Sequence, residues 1–300
     1  MSFSFNTKTE LCRGAPVSDC CAVAECYGML LYGNMFSAQE IKIITGNSAL
    51  GKYITGQFLR AFAVIFDILP DPGKAGNQAY IIRDPGKIRR IFDAYGISQE
   101  NLLAHHVNLS VLEEDCCRRS FVRGAFMTGG AVTDPVKSYH LELVTDHFNV
   151  SREVYSLLLD MDFTPKEATR GGNFVTYFRQ SLAIEDFLTM IGAPLAAMEL
   201  MSTKIEKDMR NSVNRKVNCD TANVTKTVDA AAVLIEAIAK IEEAGATGML
   251  PEKLRQTAEL RVQNPELSIN ELAEISTPPV SKSCMYHRLR KLAELAENYK

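Results

Sequence analysis

The sequence lacks any uninterrupted apolar run of about 18 residues, so it predicts no membrane-spanning helix. Its opening residues, MSFSFNTKTE, lack the apolar segment of a signal peptide, which favours a cytoplasmic location. The chain also lacks an excess of positive charge, because 33 Lys and Arg residues against 36 Asp and Glu residues give a net charge of −3. Contact with nucleic acid would therefore need a local basic cluster.

A CxxC pair is absent as well, although the chain has eight cysteines. Two pairs are adjacent in sequence, Cys20–Cys21 and Cys116–Cys117, and adjacent side chains do not easily point at one metal ion. We therefore expect reduced cysteines that act as small buried apolar residues, with no metal and no other cofactor. The alternative is a zinc site that also includes His105 and His106.

The two cysteine pairs reveal an internal repeat with an offset of 96 residues. The same shift places Gly28 on Gly124 and Gly33 on Gly129, and strand-like stretches further along correspond as well. Each unit reads as helix, two strands, helix, two strands, helix. A tandem repeat of this length predicts two similar α+β half-domains around a pseudo-twofold axis rather than a solenoid.

Glycines interrupt two helix-like stretches that correspond in this repeat, ECYGMLLYGNMF (25–36) and FVRGAFMTGGAV (121–132). Glycine in a helix interior costs about 1 kcal/mol relative to alanine, and close approach of another backbone is the usual compensation. We predict that the two helices pack together along the pseudo-twofold axis, with Gly28 and Gly124 at the contact. The alternative is two unrelated core helices that contain glycine.

FVRGAFMTGGAV resembles YLAGLIDADGSI, the pattern of the LAGLIDADG homing endonucleases, in which two such helices meet on a pseudo-twofold axis. In these enzymes each helix ends in a catalytic aspartate that holds divalent metal for phosphodiester cleavage. The aspartate falls on Gly129 in the second repeat and on Gly33 in the first. Because glycine cannot hold a metal through a side chain, the resemblance implies a non-catalytic scaffold with no catalytic residues. The alternative is a nuclease that recruits acids from elsewhere, such as Glu25 or Asp134.

Three longer stretches, 116–143, 210–228 and 278–297, together are similar to WhiA, a family of bacterial regulators. This resemblance implies an α+β fold of two tandem LAGLIDADG-like αββαββα half-domains, followed by an all-α helix-turn-helix domain. It also implies a sequence-specific DNA-binding protein of the nucleoid that regulates sporulation, or cell division and chromosome segregation. Its expected partners are double-stranded DNA and a sigma factor or another protein of transcription or cell division. A membrane is not among the expected partners.

The repeat and the resemblance together predict four segments. These are a first repeat (1–105), a second repeat (106–200), a helical linker (201–245) and a helix-turn-helix domain (246–300).

The C-terminal segment contains the signals of two helices joined by a short turn. SINELAEI (268–275) predicts the first helix, with Ser268 as its N-cap and Glu271 completing a capping box. We expect Leu272 and Ile275 to face the core. The two prolines that follow cannot continue this helix.

The second helix, which Ser281 can cap, carries the candidate DNA contacts. Its expected buried stripe has helical spacing and comprises Met285, Leu289, Leu292 and Ala296. The other face is polar and basic, as in the recognition helix of a helix-turn-helix. Contacts to base edges are expected from Lys282, Ser283, Tyr286 and His287. Contacts to phosphates are expected from Arg288, Arg290 and Lys291. The alternative is a surface helical hairpin with a solvated basic face.

The linker is a second candidate surface, because residues 207–226 carry a net charge of +3 and four asparagines. Arg210 and Arg215 are the candidate DNA contacts here. The same residue types equally cap helices and bridge domains. A third interpretation is therefore that the protein is an interaction scaffold whose basic tail binds DNA only weakly.

Overall fold

The computed structural model describes residues 2–14, 16–71, 76–98 and 104–299. The chain divides into two compact units, Met1–Lys207 and Asp208–Lys300. Among the helices of the described residues, none combines the length and the apolar character needed to cross a membrane.

The first unit begins with helix α1 (Phe3–Leu11) and then runs through one pattern of elements twice. The first pass contains α2 (Asp19–Leu31), β1 (Met35–Phe36), β2 (Ile41–Thr45), α3 (Ser48–Phe62), β3 (Gln78–Ile82) and α4 (Pro85–Ala94). The second pass contains α5 (Asp115–Gly129), β4 (Gly130–Val132), β5 (Leu141–Thr145), α6 (Phe148–Asp160), β6 (Lys166–Arg170), β7 (Asn173–Phe178) and α7 (Ser181–Met190). The expected α+β repeat is confirmed.

Each repeat carries its own antiparallel sheet, in the order β1-β2-β3 in the first and β4-β5-β7-β6 in the second. The second repeat therefore has all four expected strands. In the described part of the first repeat, a single bridge between Ile68 and Ile81 stands in the place of the fourth strand. Pro70 lies two residues after Ile68, and proline has no N–H to donate, so it cannot form the next hydrogen-bonded pair of an antiparallel ladder.

Helices α2 and α5 pack directly against each other at two glycines. A Cβ on Gly28 would lie 2.0 Å from the carbonyl oxygen of Phe121, and a Cβ on Gly124 would lie 1.9 Å from that of Glu25. No side chain fits at such distances, so only glycine permits this approach of the two backbones. The prediction that Gly28 and Gly124 mark the contact between the two repeats is confirmed. Buried side chains from both repeats form one core around the pair.

The second unit contains the C-terminal part of a 50-residue helix, α8 (Pro194–Glu243), followed by three shorter helices. These are α9 (Glu252–Gln263), α10 (Ile269–Ile275) and α11 (Lys282–Ala296). Their apolar faces form a small core of their own. The guanidinium of Arg261, which is 2% exposed, donates to the carbonyl oxygens of Asn264 and Leu267 and so fixes the connection between α9 and α10.

The helix starts of the second unit follow the sequence signals, with one error at a helix end. The capping box of Ser268 and Glu271 is present, and Ser281 accepts a hydrogen bond from the backbone of Cys284. Leu272 is buried as expected, but Ile275 is 47% exposed. Ile275 is the last residue of α10, where the chain turns back and the backbone N–H of Val280 donates to the carbonyl oxygen of Ala273. The buried Ala273 therefore takes the inward position that was expected for Ile275.

Candidate nucleic-acid interface

Helix α11 has one buried face and one exposed face, as its sequence predicts. The expected stripe is buried to 4% exposure or less at each of its four positions, Met285, Leu289, Leu292 and Ala296. Because this stripe packs against the core of the second unit, the opposite face must point to solvent. Six of the seven candidate contact residues on α11 are exposed, namely Lys282, Ser283, Tyr286, His287, Arg290 and Lys291.

The remaining candidate, Arg288, is half-buried and lines a cleft with Thr257 and Leu260 of α9. It is therefore less available to a ligand than its neighbours on α11. Arg290 is exposed, and its Nε donates to Oε1 of Glu294 at 2.9 Å. An exposed pair with this spacing contributes only about 0.3–0.5 kcal/mol, so a phosphate can replace the carboxylate with little loss.

Three basic residues that are distant in sequence line one cavity of about 280 Å³ in the second unit. They are Lys226 of α8, Arg261 of α9 and Lys282 at the start of α11. The backbone turn at Ser268 forms another part of the wall. Local sequence gives no signal for this arrangement, because it depends on how three helices pack. It adds Lys226 to the residues that can neutralise a phosphate next to α11.

The two linker arginines, Arg210 and Arg215, are exposed on α8 and are not among the residues that line this cavity. Lys207, which belongs to the same basic stretch, has a different role. Its Nζ donates to the carbonyl oxygen of Pro135 at 2.6 Å and lies 4.8 Å from the ring centroid of Tyr139. Lys207 therefore packs within the first unit, which reduces the charge that the linker can offer to DNA.

Packing is tight at Gly129 and Gly33, the two glycines on which the sequence comparison places the nuclease acids. Gly129 is the last residue of α5, and a Cβ there would lie 2.6 Å from the carbonyl oxygen of Val144 and 2.8 Å from Cδ1 of Tyr32. A Cβ on Gly33 would lie 2.9 Å from the carbonyl oxygen of Met29. A carboxylate side chain at either glycine would require its surroundings to move, so the neighbouring structure has closed around the missing acids.

Glu25 and Asp134, the acids that an alternative nuclease centre would recruit, differ in their burial and in their contacts. Glu25 is fully buried beside the helix contact, with Oε1 4.0 Å from Nε of Arg123. Burial raises the pKa of Glu25, although the nearby Arg123 opposes the shift. Asp134 is half-buried in the turn after β4, where Oδ1 accepts a hydrogen bond from the backbone N–H of Val136. Asp134 thus serves to fix a turn.

The expectation that the adjacent cysteines cannot face one metal is wrong. The four Sγ atoms of Cys20, Cys21, Cys116 and Cys117, here called the four-cysteine cluster, all lie within 4.8 Å of one another. The histidines of the zinc alternative lie elsewhere: Nε2 of His105 donates to the carbonyl oxygen of Phe36, and Nδ1 of His106 lies 2.7 Å from Oε1 of Glu153.

The repeat contains the signal that would have found this cluster. Each cysteine pair begins eight residues before the glycine at which its helix meets the other, Gly28 or Gly124. Eight residues of helix span about 12 Å. Two helices that cross at equivalent residues on a pseudo-twofold axis bring other equivalent residues close on each side of the crossing. Adjacent cysteines, about 100° apart around the helix, then lie on both sides of the line of contact.

The two helices paired at their glycines, followed by a helix-turn-helix unit, define the class of this protein as a LAGLIDADG-like protein with a C-terminal helix-turn-helix domain. The family described as the WhiA LAGLIDADG-like domain matches residues 118–210, and the one described as the WhiA C-terminal HTH domain matches residues 213–296.

Relatives that match along nearly the whole chain point to the same family. A protein of Ruminiclostridium cellulolyticum named "Probable cell division protein WhiA" is 40% identical over 309 residues, which cover 99% of this chain and 97% of that protein. A protein of Staphylococcus haemolyticus with the same name is 38% identical over 305 residues, with 99% and 97% covered. This chain belongs to the WhiA family.

The solved structures agree at the level of the fold. The crystal structure of full-length DUF199/WhiA from Thermatoga maritima matches with a TM-score of 0.60 at 23% identity, and the match covers 100% of this chain and 99% of that one. The resemblance to WhiA and the fold that it implies are therefore confirmed.

Proposed function

We propose that this chain binds double-stranded DNA sequence-specifically and that α11 is its recognition helix. The observation that carries the proposal is the contrast between the two faces of α11. One face is buried to 4% or less, and the other exposes six polar or basic side chains toward solvent. A helix of this kind, preceded by a capped helix and a short turn, is the geometry with which helix-turn-helix proteins enter the major groove.

The exposed face divides into two parts along the helix. Lys282, Ser283, Tyr286 and His287 occupy the first turns, from which recognition helices reach base edges. Arg290 and Lys291 follow further along and suit phosphates. Lys226, which lines the same cavity as Lys282, adds a further positive charge. Arg210 and Arg215 on α8 are secondary phosphate contacts, since both are exposed.

The first unit acts in this proposal as a non-catalytic scaffold, because packing has closed the positions of the nuclease acids. The relatives named "Probable cell division protein WhiA" support a role in cell division. Regulation of chromosome segregation or of sporulation belongs to the same proposal. A protein of the transcription or division machinery, such as a sigma factor, is the partner class that this role suggests. Such a protein would act at the nucleoid. The segments 1–105, 106–200, 201–245 and 246–300 remain our proposed domain boundaries.

Binding of the full chain to duplex DNA across a series of salt concentrations tests the proposal. The double variant Arg290→Ala/Lys291→Ala removes two expected phosphate contacts, so the slope of log affinity against log salt should fall by about two units. The control Lys240→Ala/Lys253→Ala removes the same charge from exposed sites on α8 and α9. Equal losses in both variants, or no loss in either, would contradict the role of α11.

A cleavage assay tests the scaffold. Purified chain with Mg²⁺ or Mn²⁺ should leave duplex DNA uncut, because neither Gly33 nor Gly129 can hold a metal through a side chain. DNA cutting that disappears in Glu25→Gln or Asp134→Asn would instead establish a nuclease built from other acids.

A further inference from the structure

The four-cysteine cluster lies at the first turns of the two central helices. Cys20 and Cys21 are the second and third residues of α2, and Cys116 and Cys117 are the second and third residues of α5. The cluster therefore joins one repeat to the other at one end of the glycine contact. Within the described residues it is the only group of three or more His, Cys, Asp or Glu side chains close enough to hold a metal ion.

The spacing of the sulfurs fits a single tetrahedral ion. A Zn–S bond of about 2.3 Å places the four sulfurs of a tetrahedral site about 3.8 Å apart. The four Sγ atoms already lie within 4.8 Å of one another, so shifts of about 1 Å or less would complete the geometry. A disulfide would pair only two sulfurs, and an iron–sulfur cluster would hold its thiolates further apart than one ion does. Tetrahedral all-sulfur coordination is typical of zinc.

Burial supports the same conclusion. Cys21 and Cys117 are buried, while Cys20 and Cys116 are exposed. The two buried thiols are held by the helices, and the two exposed ones leave a path by which an ion can enter from solvent. The hydroxyl of Ser18 lies 3.0 Å from Sγ of Cys20 and donates to Sγ of Cys21 at 3.1 Å, which orients both sulfurs.

The local charges suit thiolates. Both cysteine pairs lie at helix N-termini, where unpaired backbone N–H groups and the helix dipole stabilise negative charge. The acidic residues that precede them are already paired, Asp19 with Arg60 at 3.1 Å and Asp115 with Arg118 at 3.6 Å. Those arginines also offset the net negative charge that four thiolates and one divalent ion would carry.

We propose that the four-cysteine cluster binds one Zn²⁺ ion through four thiolates and that this ion clamps the first turns of α2 and α5 together. The site would connect the two repeats through residues that are 96 positions apart in the sequence. It would stabilise the scaffold and leave α11, in the other unit, unchanged.

Metal analysis of the full chain tests this proposal. The chain is purified with a reductant under anaerobic conditions, loaded with Zn²⁺, desalted and assayed by mass spectrometry for metal content. We expect about one zinc per chain, and with Co²⁺ the intense visible absorption of tetrahedral cobalt thiolate. The double variant Cys20→Ser/Cys116→Ser, which changes only the two exposed cysteines, should lose both signals. Removal of zinc by a chelator should lower the melting temperature of the wild type but not of this variant.

Cys219→Ser is the matched control, because Cys219 is an exposed cysteine in the other unit, and it should keep the metal. If the double variant does not fold, Cys116→Ser alone should bind cobalt more weakly and with an altered spectrum. The proposal is overturned if reduced wild type retains no zinc, if the double variant retains as much as the wild type, or if the anaerobically purified chain already contains disulfides among these four cysteines.

Discussion

The two repeats of the first unit have the same order of elements, but their residues correspond closely only at the pseudo-twofold axis that relates them. At the axis both central helices carry glycine at the contact and a cysteine pair in the first turn. Away from the axis the repeats differ in strand number, helix caps and core packing. The reason is physical, because a contact between two equivalent helices is reciprocal and a change on one side alters the space on the other. Off the axis, each repeat can repack independently.

One pair of core positions shows this independent repacking. Gly51 of α3 faces Tyr80 of β3, whose hydroxyl would lie 1.8 Å from a Cβ on the glycine. The equivalent positions in the second repeat hold Ser151 of α6 and Thr176 of β7, and both are buried. A small residue against a large one in the first repeat thus corresponds to two residues of intermediate size in the second. The division of side-chain volume between helix and strand therefore differs between the two repeats.

The largest expected effect comes from breaking the contact at the axis. Gly28→Leu and Gly124→Leu should each destabilise the first unit by about 3 kcal/mol or more, because even a Cβ at either position would overlap backbone atoms. This loss is at or above the upper end of the usual cost of overpacking. Because the contact is reciprocal, the two losses should be similar. Denaturant unfolding of the full chain measures both.

Gly56→Leu is the control for helix propensity, because Gly56 lies in α3 with no other atom near the position of its Cβ. Leucine is the better helix former by about 1 kcal/mol, so this variant should be as stable as the wild type or more so. An unchanged free energy of unfolding in Gly124→Leu would mean that the two helices do not touch.

What the sequence could predict follows a different division, between features with a local signal and contacts that depend on how elements pack. Gly28 and Gly124 could be predicted because glycine in a helix has a cost that is visible in one stretch of sequence. Ser268 and Ser281 could be predicted because caps are local. The four-cysteine cluster was missed because it depends on how two helices cross, and the complementary fit of Gly51 with Tyr80 depends on how a helix covers a sheet. Neither kind of contact has a local pattern.

A smaller effect is expected from exchanging a core pair between the repeats. Gly51→Ser alone should cost about 1–3 kcal/mol, because its side chain meets Tyr80. Tyr80→Thr alone should leave a cavity and also destabilise the protein. The double variant reproduces the pair of the second repeat and should recover part of the loss, with a coupling of about 0.5–3 kcal/mol in a double-mutant cycle. Strictly additive losses would show that the two repeats are not packed equivalently here.

The smallest expected effect concerns the helix caps and carries a pH dependence. Asn47 caps α3 by accepting hydrogen bonds from the backbone of Ala49 and Leu50 at 3.0 and 3.2 Å, whereas the equivalent His147 makes no side-chain cap to α6. His147→Asn should therefore stabilise the protein by about 1 kcal/mol at neutral pH.

The same substitution should gain more in acid. Burial lowers the pKa of His147, although the nearby Asp146 opposes the shift, and burial also lowers the pKa of His105, whose ring lies 4.5 Å away. As the pH falls below about 6.5, the unfolded chain therefore takes up protons that the folded chain does not, and stability is lost until the folded pKa is reached. His147→Asn removes one of these groups, so its advantage over the wild type should grow between pH 7.5 and 5.5 in parallel denaturant titrations. Glu25, whose pKa burial raises, acts in the opposite direction in both proteins and therefore cancels in the comparison. The difference between the two proteins then reports His147 together with its effect on His105, whose pKa His147 lowers. A gain that is the same at both pH values would show that His147 takes up its proton in the folded chain as easily as in the unfolded one.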